Sequence, residues 1–169
     1  MNLKHCFLIL FLFQLGTLIA QEPLDKLLSK YNSHSVPYIS VEELKMQTEN
    51  EKVFILDSRE LEEFEVSHLK NSTFVGYNDF SVASVASKIE NKNAPIVVYC
   101  SLGIRSETIS EKLKNAGYTN IKNLYGGIFE WKNKGYSVYD SANKETQKIH
   151  AFSKHWSKYL HKGEKIYKL

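Results

Sequence analysis

Pro95-Ile96-Val97-Val98-Tyr99-Cys100-Ser101-Leu102-Gly103-Ile104-Arg105-Ser106 reads as a buried strand, a tight loop and the start of a helix. Ile96 to Tyr99 is a continuous apolar run, rich in β-branched residues and opened by a proline, the pattern of a strand covered on both faces. Ser106 to Ala116 then reads as a helix closed by Gly117. Further strands are expected at Pro37 to Ile39, Val53 to Asp57, Phe74-Val75 and Ile121 to Leu124, with an edge strand at Val138-Tyr139. Helices fall between them. Ser40 caps Val41 to Gln47, with Glu43 placed to complete a capping box. Others are expected from Glu60 to Val66, from about Phe80 to Glu90, and from Gly126-Gly127 through Trp131. Buried strands alternating with helices give an α/β class: a central parallel sheet with helices on both faces.

In such folds ligands bind beyond the carboxyl ends of the strands. Cys100 stands at that position, after the most apolar strand and before a helix. A loop curled around its first residue points successive backbone N–H groups inward, and the following helix adds partial positive charge at its N-terminus. That cradle binds anions and stabilises a thiolate. Gly103 supplies a backbone conformation closed to bulkier residues, and Arg105 supplies a fixed cation. Settings of this kind lower a cysteine from its free value of about 8.5 to about 3.5–7.5. Cys100 is therefore the candidate nucleophile. Arg105, with Ser101, Leu102, Gly103, Ile104 and Ser106, forms the candidate anion-binding loop.

The chain's ends read differently. Residues 1–20 open with a basic charge at Lys4, run apolar from Cys6 to Phe13 and on to Ala20, then turn polar at Gln21. This is the pattern of a secretory signal peptide, and the apolar stretch falls short of the roughly 20 residues a spanning helix needs. An exported, periplasmic or secreted, protein is expected. Cleavage leaves Cys100 as the single cysteine of the mature chain, where structural cysteines would come in pairs. Residues 21–35 read as an amphipathic helical lead, 36–140 as one domain and 141–169 as a basic extension. In the extension Ile149, Phe152, Trp156 and Leu160 recur at helical spacing, which predicts an amphipathic helix docked on the domain, with a membrane-surface or partner-binding helix as the alternative. His150, His155 and His161 lack the i, i+4 spacing of a zinc pair, and no metal is assigned. The 169 residues are 43% hydrophobic, enough for one packed core. Lys and Arg (22) nearly match Asp and Glu (19), which argues against nucleic acid as a partner.

Four motifs in order resemble the rhodanese family, over about residues 36–139. These are Asp57-Ser58-Arg59-Glu60 with Glu62-Glu63-Phe64 and Ser67-His68-Leu69; the loop Cys100 to Ser106; Leu124-Tyr125-Gly126-Gly127 with Trp131; and Gly135-Tyr136-Ser137-Val138. The resemblance implies a sulfurtransferase. Cys100 would take the sulfane sulfur of a small anionic donor, thiosulfate-like or polysulfide, as a persulfide and pass it to a thiol or cyanide-like acceptor, without metal or organic cofactor. Arg59 would be a second donor-binding residue, or would pair with Asp57 to brace the loop. His68 would be scaffold. Four residues separate Cys100 from Arg105; cysteine phosphatases use a longer ring for a tetrahedral phosphate, which leaves a small phosphatase or arsenate reductase as the lesser reading. A non-catalytic binding module or persulfide carrier is the other alternative. Ser67 stands where the family usually has glycine, and Asn71-Ser72 where it has Gly-Ala; asparagine tolerates the left-handed backbone region. Ser101 and Leu102 leave this loop less basic than in the family's thiosulfate enzymes.

Overall fold

The structure is a computed structural model that describes residues 24–168. The signal peptide expected over residues 1–20, and the first residues of the helical lead, lie outside the described residues. Five strands form one sheet: β1 (Tyr38–Ile39), β2 (Phe54–Asp57), β3 (Thr73–Phe74), β4 (Ile96–Tyr99) and β5 (Ile121–Leu124). Their spatial order is β1-β5-β4-β2-β3, and every pairing is parallel. The helices among the described residues are α1 (Leu24–Tyr31), α2 (Val41–Asn50), α3 (Leu61–Val66), α4 (Val82–Ala86), α5 (Arg105–Asn115) and α6 (Gly127–Asn133).

The two-residue period of a strand sorts its side chains onto opposite faces. Ile55, Val97, Tyr99 and Leu124 share one core with Leu27 of α1, Leu44 of α2, and Ile128 and Phe129 of α6. Leu56, Ile96, Val98 and Ile121 share the other with Val85 of α4, and Ile109 and Leu113 of α5. All four residues of β4 are buried, which is why its sequence shows no polar alternation. The expected α/β architecture is present, with a core on each face of the sheet.

Local expectations fare unevenly. Ser40 caps α2 by accepting from the Glu43 amide at 3.0 Å, but the Glu43 carboxylate pairs with Lys122 at 2.7 Å instead of closing a box. The reach back from the third helical residue is made in α3, where the Glu60 amide donates to Glu63 Oε2 at 3.1 Å. Asn71 takes a left-handed turn, φ 61°. The helix expected from Phe80 to Glu90 shrinks to the single turn of α4, although Ile89 beyond it is still buried.

Two expectations are corrected. β6 (Val138–Tyr139) does not extend the main sheet; it pairs antiparallel with β7 (Glu145–Thr146), while His68 bridges to Tyr139. The extension forms no amphipathic helix. It contains β7, β8 (Lys148–His150), a 3-10 turn at Trp156–Tyr159, and β9 (Glu164–Ile166), which pairs parallel with β8. The spacing of Ile149, Phe152, Trp156 and Leu160 imitates a helix, but Phe152 sits at φ 60° and Gly163 at φ 99°, and both turn the chain. The apolar residues are nonetheless packed on the domain. Ile149, Ala151, Tyr159 and Leu160 are buried in the same core as α1, α2 and α6.

Candidate active site

Cys100 directly follows β4, and the chain curls through Ser101, Leu102, Gly103 and Ile104 into α5, whose first residue is Arg105. The loop turns at Gly103, φ 104°. A Cβ there would also stand 3.2 Å from the Leu124 carbonyl. The turn brings the Gly103 amide to 3.1 Å from Cys100 Sγ and the Ser106 hydroxyl to 3.5 Å. Burial of the thiol opposes its ionisation. The charge of Arg105, the Ser106 hydroxyl and the amides of Ser106 and Leu102 outweigh it and hold Cys100 below the ordinary cysteine range. The ultraviolet thiolate absorbance of the protein, minus that of Cys100→Ser, is therefore expected to titrate below the ~8.5 of a free cysteine. A midpoint at or above that value would contradict the cradle.

Other elements fix the loop from outside. Asn123 of β5, fully buried, donates to the Gly103 carbonyl at 2.8 Å and accepts the Ser106 hydroxyl at 2.7 Å. Asn32, just after α1, donates to the same carbonyl at 2.9 Å. From the other side, Ile128 and Phe129 at the start of α6 donate their amides to the carbonyls of Cys100 and Ser101 at 2.9 and 3.2 Å. With the carbonyls bound outward, the amides are left to face the sulfur. This close approach needs Gly127, because a Cβ at that residue would lie 2.2 Å from the Cys100 carbonyl.

Arg105 does not hang free over the thiol. Its guanidinium forks onto Glu63 of α3 at 2.7 and 2.8 Å, with a third bond to Ser101 Oγ at 3.1 Å. Ser101 Oγ in turn donates to Glu63 Oε1 at 3.1 Å. Burial pushes the Glu63 carboxyl towards neutrality, but Arg105 and Arg59 prevail and hold it below the usual carboxylate range. A carboxyl depressed in the folded state stabilises the protein above its unfolded value of ~4.3, and that contribution is lost as pH falls through the folded value. Below pH ~4.3 the wild type should therefore lose stability more steeply than Glu63→Gln, a difference read by urea unfolding. Parallel pH profiles would refute it.

Leu102 is buried in the core and Ile104 packs against it, so the apolar members line the loop rather than present polar groups. Of the two roles expected for Arg59, the structure shows the pairing with Asp57. It is fully buried and bonded to Asp57 at 2.9 and 2.6 Å and to the Ser67 carbonyl at 2.6 Å, over the ring of Tyr99. It is a brace between β2 and the α3 turn, out of a donor's reach. His68 stacks on Phe64 at 4.1 Å and bonds with the chain at Phe64 and Tyr139, a scaffold position. Trp131 is buried and donates to the Ser137 carbonyl at 3.0 Å.

Four participants went unread in the sequence. Glu63 was visible as part of a motif but carried no role, because its partner lies 42 residues away. Asn123 showed one signal, an amide in the buried strand Ile121 to Leu124. Phe152, expected on a helix face, and His150, considered only for metal spacing, instead reach the site's rim: the Phe152 ring lies 4.8 Å from the Arg105 guanidinium, and His150 Nδ1 lies 4.0 Å from Glu63.

Comparison with known proteins agrees with this geometry. Residues 40–134 match the family described as the rhodanese-like domain. The Bacillus subtilis (strain 168) protein YrkF, whose name describes a sulfur carrier, is 32% identical over 107 residues, covering 63% of this chain and 56% of its own. A tRNA uridine(34) hydroxylase of Photorhabdus laumondii is 32% identical over 100 residues, 57% of this chain but 28% of that protein. The chain thus spans about half or less of these relatives. Among solved structures, a rhodanese-related protein from Thermoplasma volcanium shares 27% identity at a TM-score of 0.51, covering 60% of this chain and 96% of that one. The thiosulfate sulfurtransferase of Pseudomonas aeruginosa superposes with a TM-score of 0.59 over 74% of this chain and 23% of its own; at 21% identity it shows the fold alone. By fold, by the loop around Cys100 and by this match over more than half its length, the chain belongs to the rhodanese-like domain family.

Proposed function

We propose that this protein is a sulfurtransferase in which Cys100 accepts a sulfane sulfur as a persulfide and passes it to a thiophilic acceptor such as a thiol or cyanide. The observation that carries the reading is the four-residue ring from Cys100 to Arg105, with the Gly103 amide 3.1 Å from Sγ. A ring of this size holds a thiolate bearing one additional sulfur. The Cys100 thiolate attacks the outer sulfur of thiosulfate or a polysulfide; the Sγ–S bond forms, the donor's S–S bond breaks, and the electron pair leaves with sulfite or the shortened chain. Attack by the acceptor on the outer sulfur regenerates the thiolate. This is two-step nucleophilic catalysis. Export to the periplasm, suggested by residues 1–20, places the same chemistry outside the cytoplasm.

The carrier function remains the second reading. Arg105 is tied to Glu63 and Cys100 is 2% exposed, features suited to holding a persulfide for a partner. Intact mass after incubation of the reduced protein with thiosulfate or polysulfide tests the first reading. Gain of one sulfur, absent in Cys100→Ser and recovered as thiocyanate on adding cyanide, is expected. A persulfide that forms but resists cyanide and small thiols would support the carrier. No gain from any donor would sink both.

A further inference from the structure

Both arginines near the nucleophile are already neutralised. Arg59 is enclosed with Asp57, and Arg105 forks onto Glu63, itself 2% exposed. A doubly charged inorganic anion approaching Sγ meets no unpaired guanidinium, and it also meets the field of the Glu63 carboxylate. What the rim offers is aromatic. Phe152 lays its ring on Arg105 and is 48% exposed. Tyr31, 49% exposed, meets Trp156 edge-on at 5.8 Å, and the next residue, Asn32, is bonded to the loop at Gly103. Ile104 and Trp156 pack against one core beneath.

Phe152 is held there at a cost. Its φ of 60° is unfavourable for a bulky residue, and such strain persists only where the surroundings impose it. They do so here. The Ala151 amide donates to the Ile166 carbonyl at 2.7 Å, fixing the residue before it, and the Phe152 amide donates to His150 Nδ1 at 3.3 Å. The strand that delivers it, β8, packs against α3, the helix that carries Glu63. Phe152, His150 and Trp156 all lie beyond residue 134, where the family match ends.

We infer that the extension sets the specificity of this site: the Phe152 ring on Arg105 selects a low-molecular-weight organic persulfide, RS–SH, over inorganic thiosulfate as the sulfur donor. This deepens the sulfurtransferase reading and rests on it. The organic group packs on the ring while its outer sulfur reaches Cys100. The Cys100 thiolate attacks that sulfur; the Sγ–S bond forms, the donor S–S bond breaks, and RS⁻ leaves with the electron pair and takes up the persulfide proton as RSH. Cys100 is left as the persulfide anion, and no external oxidant or reductant is consumed.

The test uses the full chain, reduced, with intact mass following persulfide formation at Cys100 and Cys100→Ser as the blank. Two probes are compared: benzyl persulfide released in situ, and thiosulfate. The wild type should load faster from benzyl persulfide. Phe152→Asn removes the ring while asparagine tolerates the left-handed backbone. It should lower the ratio of the benzyl persulfide rate to the thiosulfate rate by up to about tenfold, and Phe152→Tyr should keep the wild-type ratio. An unchanged ratio in Phe152→Asn overturns the proposal, as does an equal fall in both rates, which would make the ring a structural support. Failure of both probes to load wild-type Cys100 would instead overturn the sulfurtransferase reading beneath it.

Discussion

Gly127→Ala should lose about 2–5 kcal/mol of unfolding free energy, because a left-handed backbone costs an alanine ~1–2 kcal/mol and forced overpacking a further ~1–3 kcal/mol. The methyl would stand 2.2 Å from the Cys100 carbonyl and 2.8 Å from that of Ser101, and both are backbone atoms with no side-chain freedom to yield. Relief requires α6 to withdraw, which breaks the Ile128 and Phe129 amide bonds to the loop. The freed carbonyls would then compete for the inward position held by the amides, so sulfur uptake by Cys100 should fall more than stability alone predicts. Urea unfolding and the sulfur-uptake rate of the fraction still folded measure the two effects separately. Wild-type stability with a normal rate would show that α6 does not hold the loop.

Asp57→Ala should be destabilising by about 3–5 kcal/mol, the usual cost of leaving one member of a buried ion pair alone. Arg59 would keep its charge without a bonded carboxylate, left with the Ser67 carbonyl, the Tyr99 ring and the more distant charge of Glu63. Replacing both members, Asp57→Leu with Arg59→Met, should recover most of that loss, since a buried pair exchanged for apolar side chains is often near neutral. Urea midpoints of the two variants decide it. A double variant no more stable than Asp57→Ala would mean that the pair contributes through geometry rather than charge.

The parts legible in the sequence are those governed by contiguous residues. β5 falls at the residues expected, Ile121 to Leu124, and β4 is the expected Ile96 to Tyr99 run. Complete burial writes itself as an unbroken apolar run. The loop of the candidate site was readable for the same reason: Cys100, Gly103 and Arg105 are near neighbours in the chain. The bond of Arg105 to Glu63, and those of Asn32 and Asn123 to Gly103, join distant segments and leave no periodic trace. The Asp57–Arg59 pair was readable as chemistry but not as location, since the same two residues suit a brace and a binding site. In the extension, apolar spacing alone suggested a helix. Left-handed residues redirect the chain, and at Phe152 nothing in the residue's identity announces it.

The burial of Ile149, Ala151, Tyr159 and Leu160 in the core beneath the sheet bears on how this domain can be transplanted. A fragment cut at the limits of the family signature, residues 40–134, would leave one face of the sheet without part of its covering and Arg105 without its aromatic lid. The transferable module is the larger unit from α1 to β9. A chimera that grafts a foreign tail onto this loop exchanges the mouth of the site along with the tail.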